Sequence, residues 1–397
     1  MMGLWTCVGL GACMGYGNDL GEQADVIEVL DANHVLTLDR GRRRANERDM
    51  ATLPTVTELR LSGGAGSFRM ERSLGVRILA PPSCRLIVAD RGDLALHQFD
   101  ALTLEYLQST YLGGRDSSIV HRMGGFDVGP GGDVVLADAA RQSVVLLSPE
   151  HEVVGVIPTA AVSPFAMALR PWIEVGADDQ LYEELTMRPT VDPAELPPGP
   201  FRVSSADGVL RGYFGRWQAA NQSLFTGALT LGEFHVLGNA LWHLRSADGR
   251  LFVYDLEADS LPTLSRAIEL PLFYEMEPPQ ARPARAADRL GAGQLVGGSV
   301  EVNSHVGSFA IDPFGQVLIE QMLEDGRRVL TVFDPATGIF SWFRIPTAIV
   351  DVVSLDATES TIFAVVRFYE ESRTRVVAVP HPSRSTAGRQ GTHCLYG

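Results

Sequence analysis

The chain has 397 residues, 45% of them hydrophobic and 20% charged, with a formal net charge of −15. That balance fits a soluble globular protein of one to three domains and argues against large-scale disorder. It also argues against a nucleic-acid partner, because a phosphate backbone calls for a basic surface. All 33 basic residues are arginine, which excludes Schiff-base, pyridoxal-anchoring and phosphate-loop lysine chemistry. A GC-rich codon bias accounts for this without any selected surface property. The 40 glycines and 23 prolines recur at turn positions, which favours many short strands over long helices.

In chain order, Met1 to Tyr16 is apolar, glycine-rich, uncharged and too short to span a bilayer as a helix. It reads as the apolar core of an export signal. Leu10, Gly11, Ala12 and Cys13 match a bacterial lipobox, in which the Cys13 thiol would carry the lipid. The missing arginine at the start leaves a cytoplasmic location as the alternative to a periplasmic or outer-surface one. The other cysteines, Cys7, Cys84 and Cys394, show no CxxC pair and no zinc-like spacing. With Cys13 modified, Cys84 and Cys394 are expected as buried free thiols rather than a disulfide. Residues 1–24 are thus a signal segment and linker, 25–55 an N-terminal extension, 56–380 the folded domain and 381–397 a tail.

Within the extension, VIEVLD and HVLTLD flank a turn at Ala32 and Asn33, and Gly41 to Ala51 is a charged loop. Val56 to Leu61 then alternates as a single strand. From Gly75 onward a four-strand unit recurs. The clearest copy is Ser308 to Pro346: Phe309 to Asp312, Gln316 to Met322, Arg327 to Phe333 and Ile339 to Ile345, separated by turns rich in Pro, Gly and Asp. Other copies start near Gly75, Gly125, Phe165 and Gly227. A sixth begins at Asp351 and has only three strands. Four-strand units of this length have two apolar faces that only neighbouring units can cover, which predicts an all-β, six-bladed propeller. Val56 to Leu61 would complete the last blade and close the ring. A seven-bladed ring would need Asp25 to Arg40 as a blade of its own.

The second-strand segments GGDVVLAD, ADDQLYEEL and FGQVLIEQ, with VTELRL ahead of the first blade, resemble those of bacterial six-bladed propellers related to NHL repeats. The resemblance spans Val56 to Pro380 and implies a fold rather than an activity. Members are often exported, frequently as lipoproteins, and many have no assigned activity. The connection after the first blade departs from the family pattern, being only Gly113, Gly114, Arg115 and Asp116.

Loops joining second to third strands, and one blade to the next, share one propeller face. Two insertions, Met187 to Pro200 and Leu272 to Gly307, fall there, as expected of a binding face. So do Arg91, His121, Arg122, Arg141, Asn303 and His305, whose arginine forks and titratable imidazoles suit a carboxylate or phosphate group. His97, His235 and His243 lie inside strands and are expected to pack or hydrogen-bond there. No serine-hydrolase elbow, HExxH, phosphate loop or dinucleotide glycine motif is present.

Three functional readings follow. The first is a noncatalytic, monomeric binding propeller without a cofactor, taking a protein or small-molecule partner and touching membrane only through a lipid anchor. The second is a calcium-dependent lactonase- or esterase-like hydrolase, or a lyase, with Asp127, Asn239 and Asp351 near the inner strands as metal ligands. The third is an envelope scaffold.

Overall fold

The computed structural model describes residues 26–31, 34–38, 51–53, 57–59, 61–63, 66–68, 73–79, 84–113, 119–158, 173–176, 179–185, 197–217, 232–245, 249–257, 260–270, 282–283, 300–301, 306–323, 326–368 and 374–382. They form a six-bladed β-propeller. Blade 1 comprises Ser73–Leu79, Arg85–Asp90, Ala95–Asp100 and Tyr106–Tyr111. Blade 2 comprises Met123–Val128, Val134–Asp138, Ser143–Leu147 and Val153–Pro158. In blade 3 the strands are Ile173–Val175, Gln180–Glu184, Phe201–Ser205 and Leu210–Phe214. Blade 4 has Gly232–Leu237, Ala240–Arg245, Arg250–Asp255 and Thr263–Glu269. Blade 5 has Val306–Ile311, Val317–Met322, Arg328–Asp334 and Ile339–Arg344. Blade 6 contributes Ile349–Ala357, Thr361–Phe368 and Thr374–Pro380. Among the described residues no helix is long and apolar enough to cross a membrane.

The fourth strand of blade 6 is Thr57–Glu58, which pairs antiparallel with Ala378 and Val377. Leu59 N–H then donates to Val376 O at 2.9 Å. The expected strand Val56 to Leu61 is therefore shorter than its alternation suggests. Leu61–Gly63 turns away to pair with Gly66–Phe68, because the glycines at 63 and 66 allow a tight reversal there. Two further differences concern the N-terminal extension and blade 3. Ala51–Thr52, which begins at the last residue of the expected charged loop, runs parallel to Phe343 and Arg344 at the outer edge of blade 5. The first strand of blade 3 is Ile173–Val175, while its expected start near Phe165 lies outside the described residues. Val26–Asp31 and His34–Leu38 form the expected hairpin. Cys84 is half-buried, less enclosed than expected, and Cys394 lies outside the described residues.

The turns explain the regular repeat. In blade 5 the Asp312 carboxylate accepts the N–H groups of Phe314 and Gln316 at 2.9 and 2.8 Å. Gly315, at φ +79°, closes the turn on Asp312 O in a conformation that costs a residue with a Cβ far more than glycine. Each blade is covered on both sides by its neighbours, so second strands such as Val134–Asp138 are buried throughout, while outer strands such as Val153–Pro158 are largely exposed, with Ile157 the one buried residue there. Six apolar clusters result, one per seam. The seam between blades 6 and 1 joins Val365, Phe363 and Val376 to Val76, Leu86 and Phe99, which closes the ring with core rather than with hydrogen bonds alone. Each such fully buried side chain contributes about 1.5–3 kcal/mol.

Candidate functional site: the axis and the loop-rich face

Each first strand touches the first strands of its two neighbours, so the six surround the axis. Apart from Asp351 near the entrance of blade 6, the charges set into these mainly apolar strands are Arg77 in blade 1, Asp127 in blade 2, Glu174 in blade 3, Glu233 and His235 in blade 4, and Asp356 in blade 6. Residues of opposite parity pack into the seams, and these charges meet at the centre. Four carboxylates reach across a seam to a backbone N–H of the next blade. Asp127 takes Val175 at 2.8 Å and Glu174 takes Val236 at 3.2 Å. Glu233 takes Phe309 at 2.9 Å and Asp356 takes Ile78 at 2.7 Å. Such charge-assisted bonds in a dry interior are stronger than neutral ones.

Two cations complete this belt. Arg77, 6% exposed, donates from Nε to Asp127 Oδ1 at 3.0 Å, from Nη2 to Glu174 Oε1 at 2.8 Å and from Nη1 to Val76 O at 3.0 Å. All three guanidinium nitrogens are spent. His235 has an acceptor at each ring nitrogen: Glu174 Oε1 3.2 Å from Nδ1, and Phe309 O 2.9 Å from Nε2, with Glu233 Oε1 at 3.4 Å. An imidazole between two acceptors is best satisfied as the cation. Burial opposes that charge, but the Coulomb pull of Glu174 outweighs it and lifts His235 to about 10. Burial likewise opposes the charge on Glu174, and Arg77 and His235 hold it below the usual carboxylate range. Burial, then the charge of Glu174, pushes Asp127 up to about 7 despite Arg77. Burial also lifts Asp356 to about 6 against the same two cations.

At the belt's margin, Glu184 accepts Gly232 N–H at 3.0 Å and burial raises it to about 8. Glu320 pairs with Arg328, whose other terminal nitrogen stands 3.6 Å from Asp351; burial lifts Glu320 to about 7.

The residues considered as metal ligands do not converge. Asp127 is committed to Arg77 and Val175. Asn239 sits in the turn after the first strand of blade 4, where its carbonyl accepts Leu256 N–H at 2.8 Å. Asp351 stands near the start of the first strand of blade 6, half-exposed between Arg328 and Arg367. First strands run in one direction, so Asn239 and Asp351 lie at opposite ends of the channel. Among the described residues no group of three or more His, Cys, Asp or Glu is arranged to hold a metal ion.

On the loop-rich face, the structure brings His121, Arg122 and Arg141 together around buried Asp138. Its carboxylate accepts the N–H groups of His121 at 2.9 Å, Arg122 at 3.1 Å and Ala140 at 3.0 Å. The Arg141 guanidinium donates to Ile119 O at 3.2 Å and meets His121 Nε2 at 3.4 Å. His121 Nδ1 lies 3.8 Å from Asp138. Arg122 is anchored by its backbone, and its exposed guanidinium makes no bond among the described residues. Arg91 occupies the matching turn one blade earlier, where Asp90 accepts Gly92 N–H at 2.7 Å. Asn303, His305 and Cys13 lie outside the described residues.

The strand histidines do pack or hydrogen-bond. His97 Nδ1 bonds Ser109 Oγ at 2.7 Å. His243 sits edge-on to Phe201, and burial drives it down to about 3. Only His235 exceeds the expectation, as part of the belt. The belt goes beyond what the strand pattern alone predicts. Its sequence signal is a charge placed inside an otherwise apolar first strand, as in VRIL, IEV and EFHVL.

No family model and no curated protein matches the chain. Solved structures match by shape. A Bacteroides fragilis protein inferred to be exported superposes with a TM-score of 0.53 at 10% identity, covering 82% of this chain and 94% of its own. Virginiamycin B lyase of Staphylococcus aureus gives 0.48 at 10% identity over 82% and 99%. The WD40 repeats of RRP9 give 0.47 at 11% identity over 82% and 97%. At such identities the likeness concerns the fold.

Proposed function

We propose that the chain is a noncatalytic binding propeller whose protein or small-molecule partner docks on the face bearing His121, Arg122 and Arg141. The observation that supports this most is the state of the axis. Arg77 fills it with every guanidinium nitrogen bonded, and each belt carboxylate is already engaged by a neighbouring blade. Groups that a hydrolytic metal or a general base would use there are consumed in holding the ring together. Arg122, by contrast, presents free donors to solvent beside a preorganised turn, which suits a carboxylate or phosphate on the partner.

The apolar stretch ending at Cys13 supports export with lipid attachment, and the Bacteroides fragilis neighbour agrees with export. The repeat pattern supports kinship with NHL-type propellers. A thermal-shift and calorimetric screen of sugars, lactones, phosphorylated sugars and acidic peptides, with and without calcium, tests the function. The expected result is a calcium-independent, anionic ligand whose binding Arg122→Glu abolishes. Calcium-dependent stabilisation, or turnover of a lactone, would replace this reading with the hydrolase.

A further inference from the structure

On the face opposite the loop-rich one, the turn between the third and fourth strands of blade 2 reaches back to blade 1 through one side chain. His151 is 4% exposed and stands at φ +65°, in the left-handed region that a Cβ makes costly. The turn around it is closed by Ser148 N–H to Glu152 O at 2.8 Å and by His151 N–H to Ser148 O at 2.7 Å. The imidazole crosses the seam. Gln98 Nε2 lies 2.8 Å from His151 Nε2 and 3.4 Å from Nδ1, and Thr110 Oγ1 lies 3.1 Å from Nδ1.

Which end of the Gln98 amide faces the imidazole is settled from the other side. Arg85 Nη1 donates to Gln98 Oε1 at 3.0 Å, and a guanidinium has donors only. Gln108 Nε2 donates to the same oxygen at 3.2 Å. The carbonyl end is thus held within blade 1, and the NH₂ end is turned to His151. An N–H needs an acceptor, so the folded seam favours the neutral imidazole. A second proton on His151 would set donor against donor and bury a new cation near Arg85. Flipping the Gln98 amide gives no relief, since its NH₂ would then face Arg85 and Gln108.

The charged groups around the imidazole agree. Burial, then Arg85 from the second strand of blade 1, hold His151 below the ordinary histidine value against Glu150 of its own turn. Asp100, opposite Arg85 in the blade 1 ladder, is engaged by the N–H groups of Leu102 and Thr103. Gln98 and Thr110, the blade 1 side chains that touch the imidazole, carry no charge.

We infer that His151 is a proton-operated latch on the seam between blades 1 and 2. Neutral, it fastens the blade 2 turn to Gln98 and Thr110 and holds that turn in its left-handed conformation. Protonated, it loses the Gln98 bond, and the turn lets go of blade 1. The latch is whole above about pH 6.5, where the unfolded imidazole is also neutral, and is lost as pH falls through the lower folded value.

NMR of the full chain tests this, with the histidine side-chain nitrogens titrated and amide hydrogen exchange read on both sides of the His151 titration. His151 should stay neutral until well below pH 6.5. Once it is charged, protection of the Ser148 and His151 amides should fall about tenfold or more. Gly338, whose N–H closes the matching turn of blade 5 on Asp334 O, should keep its protection. Gln98→Glu sets an acceptor opposite the imidazole, so it should raise the His151 titration and remove the loss of protection in acid. If that variant fails to fold, His151→Asn, which tolerates positive φ, should make protection of the turn independent of pH. Titration of His151 at or above pH 6.5, a ring that stays neutral until the whole chain unfolds, or unchanged protection after it is charged would overturn the assignment. So would an acid-induced loss that persists in His151→Asn, since another group would then be the sensor.

Discussion

At the axis Asp127 accepts the N–H of Val175, and on the face Asp138 accepts the N–H groups of His121, Arg122 and Ala140. Both are buried carboxylates satisfied by backbone donors, and both neighbour arginines. The axis draws its arginine inward, and each guanidinium nitrogen of Arg77 donates to the protein. The face turns Arg122 outward and leaves its donors to solvent. Charges removed from water interact several-fold more strongly than exposed ones, so the first arrangement serves stability and the second leaves chemistry available to a partner.

That contrast can be broken most severely at Glu174, which serves Arg77, His235 and Val236 together. Glu174→Leu should cost about 3–5 kcal/mol in urea unfolding, because it strands buried cations. Glu233→Gln keeps the shape but weakens the bonds from Phe309 N–H and Ser308 Oγ, at 2.9 and 3.1 Å. A loss of about 1–3 kcal/mol is expected by the same measurement. Losses below about 0.5 kcal/mol in either variant would mean that the belt is ornamental.

Protonation sharpens the contrast next. His235, raised to about 10, binds its proton more tightly folded than unfolded. Its contribution is whole below about pH 6.5, the ordinary histidine value, and is lost as pH rises toward 10. Asp127, Glu320 and Glu184, raised to about 7, 7 and 8, also hold protons longer in the folded chain. Their effect has the same sign, since ionisation costs more inside than in the unfolded chain. The melting temperature should therefore fall steadily from pH 6.5 to 9, and His235→Asn should flatten the slope. A rising or level profile would contradict the assigned charges. The smallest expected effect is at the face, where Arg122→Glu should leave the unfolding midpoint unchanged while removing the anionic ligand.

The blades were legible because their signals are local. Asp312 and Gly315 write a turn in four residues, and each strand's apolar run lies between two such turns. The clustering of His121, Arg122 and Arg141 was legible for the same reason, since blade phase alone places them on one face. Val56 to Leu61 misled because alternation marks what can form a strand, whereas Gly63 and Gly66 decide where pairing stops. The belt was hidden because its partners come from different blades: Arg77 and Glu174 are 97 positions apart. Asp127 looked like a strand-end carboxylate, and only the folded ring shows the guanidinium it holds.

Equilibrium urea unfolding of Arg77→Met at pH 6.5, with and without millimolar calcium, tests the spent axis most directly. Removing the guanidinium should leave Asp127 and Glu174 unpaired and cost about 3–5 kcal/mol, with no recovery on adding calcium. A loss under about 1 kcal/mol, or recovery with calcium, would show that the belt carboxylates are a cation site rather than the clasp of the ring.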